Sequence, residues 1–79
     1  MMRWVNHSDI EVGAIFTVRV GREILASTMG CPFIIEPGQA LIVTNKNFRD
    51  SPIVTALLDS GEVLFVTCFS IVKHCWTFE

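Results

Sequence analysis

The β-branched and apolar residues of this chain fall into runs of four to eight, each cut off by Gly, Pro, Asn or Asp. Runs of that length are strand length, and Val, Ile and Thr, which together exceed a quarter of the residues, pack well on a pleated surface. The longest unbroken apolar stretches, residues 40–43 and 63–66, fall far short of the roughly 18 to 20 residues that a membrane-crossing helix requires. A mean hydropathy of +0.49 therefore describes a body dense in apolar residues rather than a spanning segment. Seventy-nine residues predict one small β domain, 1–79. A chain this short buries only about 60 to 65% of the surface its unfolded form exposes. Nearly every apolar side chain must therefore lie inside or against a partner.

Residues 14–20 alternate, with Phe16, Val18 and Val20 directed one way and Ile15, Thr17 and Arg19 the other, so one face is expected to be buried and the other half-wet. Gly21 and Arg22 then lead into residues 23–29, a predicted antiparallel hairpin partner, and Gly30, Cys31 and Pro32 are expected to break that run. Pro37 and Gly38 at the central positions of Glu36, Pro37, Gly38, Gln39 predict a type II turn. Residues 45–52 form the longest polar stretch and read as a surface loop. Residues 53–58 and 62–67 read as a hairpin around a three-residue turn with Gly61 in the left-handed position. The competing reading makes 52–60 a short helix, capped by Ser51 and opened by Pro52. Its β-branched residues and the strong strand that follows favour the hairpin. In the tail, a tight turn near 69–71 precedes a last strand in which Val72, His74, Trp76 and Phe78 share one side and Lys73, Cys75 and Thr77 the other. Residues 8–13 read as a connector, and Arg3, Trp4 and Val5 as a short strand or anchor.

This pattern of segment lengths over residues 10–78 resembles that of SH3-like barrels. It implies an all-β fold, a small antiparallel barrel of five or six strands, with an OB-like barrel or an open sheet carrying a helix at 52–60 as the fallback. Fold class alone carries no function.

Six Lys or Arg against eight Asp or Glu, with a pI near 5.6, argue against sequence-independent nucleic-acid binding, which draws on a field of positive charge. High apolar content with modest charge is the reverse of the disordered signature. Residues 1–9 lack the apolar core of a secretory signal, and three cysteines, Cys31, Cys68 and Cys75, are an odd number for a disulfide scaffold. A cytoplasmic chain with reduced, mostly buried thiols is expected.

Four constellations bear on chemistry. Cys31, Cys68, His74 and Cys75 have the donor types of a tetrahedral zinc site but not the short ligand spacing of one, so neither metal nor cofactor is expected. A cysteine nucleophile with His7 or His74 as base needs an electropositive pocket that a domain this small has little room for, so no enzyme activity is expected. Glu11, Glu23, Glu36, Asp50, Asp59 and Glu62 fall at strand ends or turns, where solvation is the usual role. The 45–51 loop sets Phe48 between Lys46 and Arg49, an arrangement suited to a protein contact or, less well given Asp50, to stacking on a base with cations at phosphate. The fourth is a surplus of apolar surface: both faces of 63–67 and 33–35 are apolar, and Trp4, Trp76 and Phe78 lie near the termini, where a small core covers least.

These features lead to the expectation of a non-enzymatic protein-binding module, of the size that phages and other mobile elements use as regulators or inhibitors of a partner protein. Its binding residues are expected to be Lys46, Phe48, Arg49, Trp4, Trp76 and Phe78, and a homodimer through an edge strand is one way to cover the surplus. The alternative is a small nucleic-acid-binding barrel using the 45–51 loop, aided by Arg3 and Lys73.

Overall fold

The computed structural model describes residues 1–46 and 51–78. Eight strands are formed: β1 (Met2–Trp4), β2 (Ile15–Val18), β3 (Ile24–Thr28), β4 (Cys31–Ile35), β5 (Ala40–Lys46), β6 (Ile53–Leu58), β7 (Val63–Thr67) and β8 (Cys75–Phe78). A 3₁₀ turn, His7–Asp9, follows β1, and one helix, α1 (Cys68–His74), precedes β8. All strands join one antiparallel sheet in the order β1-β8-β2-β5-β6-β7-β3-β4, which curls into a half-barrel with free edges at β1 and β4. The all-β, barrel-like expectation holds. The strand number exceeds five or six because the short β1 and the segment after Gly30 both pair.

The concave side is the core. Phe16 and Val18 of β2, Leu41 and Val43 of β5, Ala56 and Leu58 of β6, Leu64 and Val66 of β7 and Ile24 of β3 all point into it. The Val, Leu, Ile and Phe side chains among them contribute roughly 1.5–3 kcal/mol each on full burial. Helix α1 packs against β2, β3, β7 and β8 and drives Ile71 into the same cluster, while Val5 and Ile10 add to it from the N-terminal segment.

Several connections differ from the sequence expectation. Residues 53–58 are strand, not helix, because β6 is hydrogen-bonded on both sides, to β5 and β7. The three-residue turn into β7 forms as expected, with Gly61 at φ +98° and the Leu58 N–H donating to the Glu62 carbonyl at 2.9 Å. The turn at Pro37 and Gly38 also forms, with Gly38 at φ +87° and the Gln39 N–H reaching the Glu36 carbonyl at 3.2 Å.

The hairpin between β2 and β3 does not form. Both sides of β2 are taken, by β5 and by β8, and the Arg19 N–H extends that ladder to the His74 carbonyl at 2.9 Å. Strand β3 pairs instead with β7 and β4. The expected break at residues 30–32 shrinks to Met29 and Gly30, both at positive φ as a two-residue hairpin turn requires. Cys31 and Pro32 belong to β4, where an edge position tolerates proline. Val20, expected inside, is 92% exposed because β2 ends at Val18.

The tight turn expected near 69–71 is the helix α1. Thr67 caps it, its hydroxyl oxygen accepting from the Ser70 N–H at 3.2 Å, and Lys73 and His74 occupy the last turn, where cations suit the dipole. Strand β8 then turns Cys75 and Thr77 inward and Trp76 and Phe78 outward. The thiols span all environments: Cys75 is buried, Cys68 half-buried and Cys31 exposed, and all are free. No helix among the described residues is long and apolar enough to cross a membrane.

Candidate interaction surface

Residues directly opposite in an antiparallel pair lie on the same face, so the strand registers trace the outer side of the sheet. Ile15 faces Ile42, which faces Leu57, which faces Val63; Phe65 faces Thr55 and Ser27; Leu25 faces Ile34. This outer side therefore carries apolar side chains on six strands, with Thr55 and Ser27 among them. It contains a shallow groove of about 380 Å³ between β2, β5 and β6, lined by Ile15, Ala40, Ile42 and Leu57. Leu25, 68% exposed, marks the far end of the same surface.

The β1–β8–β2 end is different. Trp4 stands opposite Trp76, and Met2 opposite Phe78, so short β1 delivers an indole onto its neighbour. The two indoles meet edge to face, with centroids 5.1 Å apart. Arg19, the outward residue beyond the Thr17 that faces Trp76, lies beneath them. Its guanidinium carbon sits 3.8 Å from the Trp4 ring centroid and 5.3 Å from that of Trp76. The expectation that Arg19 faces outward is correct, but not that it is half-wet: roofed by the indoles, it is only 7% exposed. Trp4 and Phe78 each remain 59% exposed.

Burial first, and the Arg22 charge second, hold Arg19 below its ordinary pKa. An arginine stays charged all the same, so this is a desolvated cation. The indole faces offset part of the cost, and Nη2 donates to the Lys73 carbonyl at the C-terminal, electronegative end of α1. Arg19 Nε and His74 Nδ1 are buried without a hydrogen-bond partner. His74 is likewise held below its ordinary value, by burial and then by Arg22, Lys73 and Arg19, which places four basic groups around the junction of α1 and β8.

A bidentate ion pair secures β1 from behind. Arg3 Nη1 and Nη2 donate to the Asp9 carboxylate at 2.7 and 2.8 Å, and the Asn6 N–H donates to the same carboxylate at 2.8 Å. The Arg3 hydrogen bonds lead the causes that lower the Asp9 pKa to about 2.

Trp4, Trp76 and Phe78, expected as binding residues from the apolar surplus, thus come together on one face. Lys46 does not join them: it ends β5, and its ammonium lies 3.7 Å from Glu11. Phe48 and Arg49 lie outside the described residues. Sequence reasoning missed Arg19 and the Arg3–Asp9 pair. The available signal was an arginine interrupting an otherwise apolar strand in a chain with two tryptophans.

Among the described residues no group of three or more His, Cys, Asp or Glu side chains gathers as a metal site. Burial pushes the Cys75 thiol up to about 12, the opposite of what a thiolate nucleophile requires. His7 stacks edge to face on Phe69, with centroids 5.4 Å apart. In comparisons with known proteins, no family model matches the chain, and neither a curated protein nor a solved structure proved significantly similar to it.

Proposed function

We propose that this chain is a non-enzymatic protein-binding module that engages its partner through the outer face of the sheet, centred on Trp4, Trp76 and Phe78. The observation that supports this reading is the indole pair braced by Arg19 yet still open to solvent, at one end of a face that is mostly apolar. Aromatic side chains with few rotatable bonds anchor protein interfaces at low entropic cost, and exposed apolar patches of this kind usually mark association surfaces.

The test is affinity capture from a lysate of the natural source with the wild-type chain and three variants, Trp4→Ala, Phe78→Ala and Leu25→Ser. Phe78 does not roof Arg19, so its replacement probes the surface without exposing the guanidinium. The expected result is a set of proteins held by wild type and Leu25→Ser and lost from the other two, with unchanged circular dichroism. Folded Trp4→Ala and Phe78→Ala chains that keep every partner would overturn the reading. Capture of a second copy would make the module a homodimer. Oligonucleotide binding that vanishes as salt rises would favour a nucleic-acid-binding barrel using Lys46, Phe48 and Arg49.

A further inference from the structure

We infer that the tryptophan end of the sheet is a site for an acidic segment of a partner protein, in which an apolar side chain lies on Trp4 while neighbouring Asp or Glu carboxylates meet the exposed side chains of Arg22 and Lys73. The inference rests on the protein-binding reading and gives the partner its chemistry.

Three observations carry it. First, the charge is one-sided. The chain is net negative, at −2, yet Arg19, Arg22, Lys73 and His74 meet at one corner: the Arg19 N–H donates to the His74 carbonyl at 2.9 Å, the Arg22 N–H to the Arg19 carbonyl at 3.1 Å, and Arg19 Nη2 to the Lys73 carbonyl. The side chains of Arg22 and Lys73 are exposed and, among the described residues, form no ion pair. Second, the Arg19 Nε–H is a buried donor without a partner in a fold that satisfies most of its buried polar groups. A buried guanidinium whose neighbours are indole faces and one backbone carbonyl has charge left to be met. Third, the cation beneath Trp4 draws on the electron-rich face of the ring. A second cation on the outer face is thereby disfavoured and an anion tolerated. Together with the apolar face beginning at Ile15, these features complement a segment that is both acidic and apolar. They do not complement a polyanion that needs a broad positive field.

The test uses the full chain and its own fluorophores, since Trp4 and Trp76 are its only tryptophans. Emission is followed during titration with three 12-residue peptides of equal leucine content, in which the remaining positions are mainly Glu, Ser or Lys, and with a 12-nucleotide oligothymidylate. The Glu peptide is expected to saturate with a shift in emission, the Ser peptide to bind at least tenfold more weakly, and the Lys peptide and the oligonucleotide more weakly still. Arg22→Glu and Lys73→Glu, both at exposed positions, are each expected to weaken the Glu peptide about tenfold while leaving the free emission spectrum unchanged. Equal binding of the Glu and Ser peptides, tighter binding of the oligonucleotide, or no saturation by any peptide up to millimolar concentration would overturn the inference. Those failures leave the lysate capture intact, so the broader reading and this one fail separately.

Discussion

A guanidinium removed from water with no carboxylate against it costs free energy in most folds. Arg19 meets that cost with two indoles and the carbonyl end of α1, and the shorter of its indole contacts, with Trp4, depends on β1 being held in place. Alternation along residues 14–20 reads its direction correctly. Its burial is not legible there, because the cover is an indole brought by a distant strand, and local patterns report direction rather than what lies overhead. The bidentate pair of Arg3 with Asp9 is the residue-scale tie that positions that cover. Because the Asp9 pKa falls from 3.8 to about 2 on folding, its contribution to stability is complete above the unfolded value and disappears as pH falls through that interval. Asp9→Asn is therefore expected to destabilise the chain at neutral pH and to flatten the acid limb of its stability profile between pH 4 and 2. Tryptophan emission against pH measures this, and an unchanged acid limb would show that the pair is idle.

Helix α1 is helical against a weakly helical sequence. Its β-branched and aromatic residues have modest helix propensity, and two turns are too few to be stable alone. What keeps it helical is one tertiary contact, Ile71 in the core, together with the local Thr67 cap at its start. Thr67→Ala is accordingly expected to lower stability by about 1 kcal/mol, and Ile71→Ala by about 2–5 kcal/mol. Urea denaturation checks both, and a smaller loss at Ile71 than at Thr67 would reverse the proposed order. The β6–β7 hairpin was legible because its turn chemistry is local and Gly61 supplies the positive φ. The absence of a β2–β3 hairpin was not, because β5 and, from far along the chain, β8 take both sides of β2.

At the scale of the molecule, an open curled sheet leaves two edges to protect. Strand β1 is only three residues long, and β4 carries Pro32, which has no N–H to offer a new neighbour. Pro32→Val is expected to raise self-association, seen as a mass that grows with concentration in light scattering; a constant mass would mean that β4 is guarded in another way. Composition and strand texture made the all-β class readable, and the surplus of apolar side chains pointed to Trp4, Trp76 and Phe78. Strand order was not readable, since it depends on which distant ladders win, and with it went the junction of α1 and β8 where the basic groups gather. The pairing of Met2 with Phe78 has a consequence of its own. Because the first and last strands are neighbours, a linker of a few residues would join them, and new ends could be opened at the Met29, Gly30 turn. A circular permutant of these residues would keep every ladder while placing its new ends at the β3–β4 turn, across the sheet from the tryptophans.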